Sequence, residues 1–222
     1  MNSNQQIKLT IGIPSIPERT ITHLDLLFKR LENQIGSEKD VEIISLMDNK
    51  MMSIGRKKEL LFELARGKYT CIIDDDDDVV DDFIPTLRDN ITSELDVDVI
   101  CYDQEAVIDG KTWIIKTNLE HNKKIPFDQL ELDQNGNPRP CLRPPWQWCC
   151  WRTDFVRQIK FEPINWGEDA IFIAEASDRA KTQLVIDKIM CKYKWSSSTT
   201  SAPHQSIPQN IVDRVNFRTW QL

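Results

Sequence analysis

The sequence has only three histidines among its 222 residues, and its six cysteines include no Cys-x-x-Cys pair. Both features argue against a zinc site and against a disulfide framework. We therefore expect reduced thiols, most of them buried as small apolar groups. The cysteines are Cys71, Cys101, Cys141, Cys149, Cys150 and Cys191.

Long apolar runs and the common nucleotide-binding loops are also missing. No stretch approaches the roughly 18 consecutive apolar residues of a membrane-spanning helix. The first ten residues, MNSNQQIKLT, lack the basic and apolar regions of a signal peptide. We expect no transmembrane segment and a cytoplasmic location. The absence of GxGxxG and GxxxxGK argues against a dinucleotide-binding fold and a P-loop.

Charge is unevenly distributed along the chain. Hydrophobic residues make up 40% and charged residues 28%, as expected for one folded domain, and the net charge of −7 argues against a protein that coats nucleic acid. Residues 1–109 hold 12 basic and 23 acidic residues, residues 110–160 hold 9 and 5, and residues 161–222 hold 7 of each. The acidity therefore lies in the first half, and the middle segment is basic.

Apolar periodicity predicts an α/β fold. Strand-like runs cover residues 7–13, 41–47, 69–73 and 97–102, and helical spacing covers residues 20–35, 54–65 and 83–95, with Gly67 as C-cap of the second helix. This alternation is typical of a mostly parallel central sheet flanked by helices, in which ligands bind beyond the carboxyl ends of the strands.

The second half of the chain has a different order of predicted elements. Asp109-Gly110 predicts a hairpin turn, and residues 123–145 predict a long loop or flap with a turn at Asn135-Gly136-Asn137-Pro138. Helices are expected at 153–159 and 168–180, strands at 183–186 and 189–195, and loop at 196–209.

Five consecutive aspartates, Asp74 to Asp78, directly follow an apolar strand-like run. Like charges at such spacing repel each other unless a cation or solvent separates them. Sites rich in carboxylate and poor in histidine suit Mg2+ or Mn2+. The pattern therefore favours a metal site at Asp74–Asp77, and the alternative is a solvated acidic loop before the next helix.

A second acidic pair, Glu168-Asp169, follows Trp166-Gly167. A carboxylate placed here suits a general base, and burial would raise its pKa toward neutrality. The alternative is a pair of acids that complements the helix dipole.

Tryptophans and cations concentrate in the middle of the chain. Trp148 and Trp151 are expected in the core, whereas Trp146 and Trp166 are candidates to stack on a sugar or a base. Arg143 belongs to a basic set that could face a phosphate-bearing acceptor. The set comprises Lys111, Lys116, Lys123, Lys124, Arg139, Arg143, Arg152, Arg157 and Lys160.

The segments IGIPSIPER (11–19), GKYTCIIDDDD (67–77) and WGEDAIF (166–172), with Asp48 and a helix at 53–65 between them, resemble the GT-A nucleotide-sugar glycosyltransferases, particularly family 2. The resemblance covers residues 7–195 in the expected order. It implies a single GT-A domain over residues 1–222, with a nucleotide-sugar half (1–109), an acceptor and catalytic-base half (110–195) and a C-terminal loop or tail (196–222).

The resemblance also implies the residues that contact the donor. Asp48 takes the position of the acid that reads the base, and Asp74 or Asp75 that of the ribose or sugar contact. The family often has Ala-Arg-Asn where this chain has Gly55-Arg56-Lys57-Lys58, which leaves open which cation faces the donor. The donor-binding set is Pro14, Ser15, Arg19, Asp48, Arg56, Lys57, Lys58, Asp74 and Asp75.

For the chemistry, the resemblance implies that Asp76 and Asp77 hold Mn2+ or Mg2+ against the donor diphosphate. His204 either completes the metal shell, as in some relatives, or is a solvated loop histidine. Asp169 matches the catalytic base of inverting members, with Glu168 beside it. Inversion is the family default, and a retaining outcome stays open.

These inferences predict a metal-dependent glycosyltransferase of the EC 2.4 type, with a UDP-sugar as the expected donor. The acceptor is a saccharide or glycoconjugate, or alternatively a hydroxymethylated DNA base as for bacteriophage enzymes, with Trp146, Trp166 and Arg143 on the acceptor side. Two other classes compete: a nucleotidyltransferase and a non-catalytic nucleotide-sugar-binding module.

Overall fold

The computed structural model describes residues 6–108, 110–121 and 130–195. The strands of these residues are β1 (Leu9–Ser15), β2 (Val41–Met47), β3 (Tyr69–Ile72), β4 (Asp78–Val79), β5 (Val99–Ile108), β6 (Lys111–Thr117), β7 (Cys141–Arg143), β8 (Cys150–Arg152) and β9 (Gln183–Trp195). The helices are α1 (Asp25–Ile35), α2 (Ile54–Leu64), α3 (Phe83–Asn90), α4 (Thr153–Val156) and α5 (Glu168–Arg179). A 3-10 turn, Pro17–Arg19, and a π-helical turn, Thr20–Leu24, lead into α1.

The strands form one mixed, mostly parallel sheet in the order β2-β1-β3-β8-β5-β6-β7, with β9 paired to β5 and to β4. Strands β2, β1 and β3 run parallel, as predicted, so their carboxyl ends meet at one edge. The ends of these strands bring Ser15, Asp48 and Asp74 to that edge. This is the edge at which an α/β sheet binds its ligands.

The structure corrects the predicted arrangement of the sheet. The short strand β8 lies between β3 and β5 and runs antiparallel to both. The sequence pattern did not predict this strand. Strand β7 falls inside the segment predicted as a loop, and the two predicted strands at 183–186 and 189–195 are one strand, β9, with a bulge. Three-residue strands such as β7 and β8 are too short to show a period in the sequence.

Gly67 does not cap α2, and that prediction was wrong. The C-cap residue is Ala65, and Gly67 instead lies against β1. A Cβ atom at position 67 would lie 2.5 Å from the backbone nitrogen of Thr10. Gly67 is therefore required where the chain enters β3 close to β1.

Aromatic packing fixes α5 against α2. The rings of Phe161 and Phe172 stack with centroids 4.4 Å apart, and Phe62 of α2 lies 5.7 Å from Phe172. Buried stacking of this kind adds to the stability gained from apolar area alone. It holds the second turn of α5 against the last turn of α2.

The remaining predictions about the core are confirmed. All six cysteines are free and buried. Trp148 and Trp151 are core residues, and the hairpin between β5 and β6 turns through Gly110, whose φ is +79°. The described residues contain no helix long and apolar enough to cross a membrane.

Candidate active site

The aspartate run forms a tight turn at the end of β3. The amide of Asp77 donates a 3.0 Å hydrogen bond to the carbonyl oxygen of Asp74, with Asp75 and Asp76 at the corners. Because the backbone turns here, the side chains do not alternate between two sides as in an extended strand. Asp74 contacts Lys58, Asp75 contacts Ser15 and Arg19, and Asp76 shares Arg19.

Asp75 points back toward β1 and is 3% exposed. Ser15 donates a 2.6 Å hydrogen bond to Asp75 Oδ2, and Arg19 donates one of 2.8 Å to Oδ1. Both carboxylate oxygens are therefore occupied within the protein. Of the two residues that the sequence offered for the ribose or sugar contact, Asp74 is the more accessible.

Asp76 and Asp77 occupy the rest of the turn. Asp76 is exposed and shares Arg19 with Asp75, at 3.0 Å. Partial removal from solvent and the neighbouring Asp74 carboxylate raise the pKa of Asp76, and fuller removal from solvent together with Asp74 raises the pKa of Asp77 further. The acidic turn therefore carries more negative charge than its protein partners neutralise.

This turn suits a hard divalent cation in its donor chemistry. Carboxylate oxygens are the ligands that Mg2+ and Mn2+ prefer, and one or two of them suffice when substrate phosphates and water complete the shell. Within the described ranges, no group of three or more His, Cys, Asp or Glu residues is arranged to enclose an ion. A cation here would therefore be held by Asp76 and Asp77 and completed by a ligand.

Three cations begin α2, and they have different surroundings. Arg56 forms ion pairs with Glu59 and Glu63 on the outer side of the helix, so the structure does not bring it to the acidic turn. Lys57 forms an ion pair with Asp48 at the end of β2. Lys58 contacts Asp74 and Glu168, so of the three cations it is the one beside the aspartate turn and the acidic pair.

Pro14 and Asp48 lie at the adjacent strand ends. Pro14 is buried at the end of β1, beside Leu46 of β2. The Asp48 carboxylate accepts a 2.6 Å hydrogen bond from the amide of Met52. A hydrogen bond from Lys57 lowers the pKa of Asp48, so this acid is held ionised next to the end of β1.

The predicted catalytic pair begins α5. Gly167 has a φ of +80°, a conformation that glycine adopts without strain, and this turn starts the helix at Glu168. Glu168 is 5% exposed and accepts a 2.9 Å hydrogen bond from Lys58. Removal from solvent and the Glu168 carboxylate raise the pKa of Asp169 to about 7. A carboxylate with that pKa is a suitable general base near neutral pH.

Strand β9 passes beside the acidic turn, a contact that sequence reasoning missed. Asp78 of β4 pairs with Lys192 of β9, which brings Tyr193 close to the acids. Burial, then the charges of Asp77 and Asp169, raise the pKa of the Tyr193 phenol. The tyrosine was visible in the sequence, but nothing local indicated which acids it would face.

The aromatic residues of the acceptor side are more buried than expected. Trp146 is 9% exposed and packs in the core, and Arg143 lies over its ring at 5.2 Å from the centroid. Trp166 is partly exposed next to Gly167. Trp166 is therefore the predicted acceptor residue that lies beside Asp169 in sequence and retains an exposed surface.

Most described cations of the basic segment have partners inside the protein. The contacts are those of Lys116 with Asp103 and Asp187, Arg139 with Glu131, Arg152 with Asp96 and Asp98, Arg157 with the carbonyl oxygens of Phe62 and Ala65, and Arg143 with Trp146. Lys111 and Lys160 are exposed. These contacts reduce the basic surface that the segment offers to a phosphate-bearing acceptor.

Some predictions fall on residues outside the described ranges. They are His204 as a metal ligand, the tail at 196–222, Lys123 and Lys124 of the basic set, and Asp109 of the hairpin turn.

Comparison with known proteins identifies the fold. No protein-family model and no curated protein sequence matches the chain, whereas solved structures do. The structure of S. aureus TarS matches with a TM-score of 0.58 at 14% identity, covering 85% of this chain and 37% of that chain. TarS 1-349 in complex with UDP matches at 0.53 and 15%, covering 85% and 61%. Its complex with UDP-GlcNAc matches at 0.54 and 12%, covering 95% and 71%.

At these identities the similarity establishes architecture. The chain has the GT-A fold, as predicted, with a mostly parallel central sheet flanked by helices. This chain spans 37% of the length of the first of these TarS structures.

Proposed function

We propose that this chain is a metal-dependent GT-A glycosyltransferase that transfers a sugar from a nucleoside diphosphate sugar to an acceptor hydroxyl. The observation that carries the proposal is the position of Asp169. It lies on the first turn of α5, tied through its neighbour Glu168 and Lys58 to the aspartate turn after β3. The pKa of about 7 fits a base that takes a proton from a hydroxyl.

A UDP-sugar is the proposed donor. Support comes from the matching folds of TarS 1-349 in complex with UDP and with UDP-GlcNAc. In this chain Pro14, Ser15 and Asp48 lie at the ends of two adjacent parallel strands, where such a fold binds its ligand. Asp74, at the next strand end, is the proposed contact to the ribose or the sugar.

In the proposed mechanism Asp169 accepts the proton of the acceptor hydroxyl as that oxygen bonds to the anomeric carbon and the diphosphate departs. Asp76 and Asp77 would hold Mn2+ or Mg2+, whose charge would offset the negative charge of the leaving diphosphate. Arg19 orients Asp75 and Asp76 so that the turn keeps its shape. Attack opposite to the leaving group would give inversion.

We propose a saccharide or glycoconjugate as the acceptor. Trp166 is partly exposed and precedes Gly167 and the base, and aromatic faces stack on sugar rings, so Trp166 is the proposed acceptor contact. The ion pairs of Lys116, Arg139 and Arg152 favour a saccharide over DNA, because these cations already neutralise acids of the protein.

A nucleotide-sugar binding screen tests this function. The protein is melted with UDP-sugars and other nucleoside diphosphate sugars, with and without Mn2+, because a bound ligand raises the melting temperature by mass action. We expect a metal-dependent rise with at least one donor. Asp169→Asn should keep that rise and lose sugar transfer and donor hydrolysis.

Other results would exclude the proposal. Release of pyrophosphate from a nucleoside triphosphate would identify a nucleotidyltransferase. Donor binding without turnover in the wild-type protein, across a panel of saccharide acceptors and DNA with hydroxymethylated bases, would identify a binding module.

A further inference from the structure

Two consecutive lysines of α2 are both almost completely buried. Lys57 is 3% exposed and Lys58 is 2% exposed. Lysines are seldom buried to this degree unless their charges are paired. Because consecutive helical residues point about 100° apart, the two ammonium groups reach different parts of the site.

Lys57 joins the ends of β1 and β2. Its Nζ donates a 2.8 Å hydrogen bond to the carbonyl oxygen of Ser15 and forms the ion pair with Asp48. Asp48 is held in turn by the amide of Met52. Each of these contacts lies on the side of the site where the nucleotide is proposed to bind.

Lys58 joins the end of β3 to the beginning of α5. Its Nζ lies 2.9 Å from Glu168 Oε1 and 3.4 Å from Asp74 Oδ1. Asp169 adds its charge to the same surroundings. A single buried ammonium group therefore links the proposed sugar contact to the carboxylate next to the proposed base.

The first turn of α2 is also joined directly to the segment that precedes α5. The amide of Gly55 donates a 3.1 Å hydrogen bond to the carbonyl oxygen of Ile164, and Asn165 accepts one from the amide of Ile54. A Cβ atom at position 55 would lie 1.9 Å from the carbonyl oxygen of Glu162. This close approach sets the distance over which Lys58 reaches Glu168.

We propose that the two lysines divide the site between them. Lys57 is the positioning residue of the nucleotide half. Lys58 is the positioning residue of the transfer half, where it holds Glu168, and with it Asp169, at a fixed distance from Asp74. The inference rests on the proposed glycosyltransferase function and deepens it. It also assigns separate roles to two neighbouring residues that have the same chemistry.

Matched substitutions of the two neighbours test this division. In Lys57→Met we expect the Kd for UDP and the KM for the donor to rise about tenfold or more, with kcat within about threefold of wild type. In Lys58→Met we expect the reverse: kcat falls about tenfold or more, and the Kd for UDP stays within about threefold. Lys39→Met, which removes an exposed lysine, should change neither quantity.

Two further variants separate positioning from general damage. Lys58→Arg keeps the charge and should recover part of the kcat that Lys58→Met loses. Lys58→Met leaves the Glu168 carboxylate buried without its partner, so its melting temperature should fall. The double variant Lys58→Met with Glu168→Leu should melt above Lys58→Met alone, because the unpaired charge is gone.

The outcomes distinguish the inference from the function on which it rests. Wild-type protein that binds no nucleotide and transfers no sugar refutes both. If the wild-type protein is active, the division of labour is overturned when both lysine variants change the same kinetic parameter. It is also overturned when the double variant melts below wild type by the sum of the losses of Lys58→Met and Glu168→Leu alone.

Discussion

Ser15 Oγ at the end of β1 donates a 2.6 Å hydrogen bond to Asp75 Oδ2 in the turn after β3. Arg19 occupies the other oxygen of the same carboxylate. The second aspartate of the run therefore braces the turn, and the residues around it are left to face a ligand.

This brace predicts unequal stability losses in the turn. Asp75→Ala removes the hydrogen-bond acceptor of Ser15 and one of the two acidic partners of Arg19, and should lower the free energy of unfolding by about 1–3 kcal/mol. Asp76→Ala, at an exposed side chain, should change it by less than about 1 kcal/mol. Urea denaturation measures both values, and equal losses would contradict the role of Asp75 as a brace.

Metal binding should depend on Asp77 and not on acids further along the chain. We expect Mn2+ together with UDP to raise the melting temperature of the wild-type protein and to have little effect on Asp77→Asn. Asp81→Asn is the matched control, because Asp81 is a nearby, 95% exposed aspartate. An equal response to Mn2+ in wild type and Asp77→Asn would argue against this metal site.

The pH dependence of transfer should report Asp169. Because its pKa is raised to about 7, kcat/KM should fall about tenfold per pH unit well below neutrality and level off above it. Asp169→Asn should reduce kcat by about 10²- to 10⁴-fold, the usual contribution of a general base. Asp89→Asn, an exposed acid on α3, should keep the wild-type profile. A wild-type profile that is flat from pH 5 to 8 would count against Asp169 as the base.

The same pKa predicts the direction of a stability change. The folded protein binds a proton at Asp169 more tightly than the unfolded chain does, so between about pH 4 and pH 7 the free energy of unfolding contributed by this group falls as the pH rises. Asparagine does not titrate. Asp169→Asn should therefore melt above wild type at pH 8, and the difference should shrink at pH 5. A larger advantage at pH 5 than at pH 8 would contradict the shift.

Gly67 should tolerate no side chain. In Gly67→Ala the new Cβ would meet the backbone nitrogen of Thr10 at 2.5 Å, so β1 and β3 must separate, and we expect a loss of about 1–3 kcal/mol or more. Gly136→Ala is the control, because its only cost is the left-handed backbone conformation, about 1–2 kcal/mol. Chemical denaturation compares the two, and a smaller loss at position 67 would argue against the close approach.

The sequence by itself determined the elements whose signals are local. Apolar periodicity located β1, β2, β3, α2 and α5, because a strand or helix of four or more residues shows its period in the chain. The five aspartates and the Glu168-Asp169 pair could be recognised in the sequence, because adjacent like charges repel each other. Parallel strands then implied that their ends meet at one edge.

Only the tertiary structure decided which of these groups face one another. Strand β8 pairs with β3 across about 80 residues of chain. A strand of only three residues has no sequence pattern that would predict this pairing. Lys57 and Lys58 are identical in the sequence, and only the positions of β2 and α5 direct one to Asp48 and the other to Glu168. Which charges pair depends on residues far apart in the sequence. The reason is that folding brings together the neighbours that set the pKa and the orientation of each side chain.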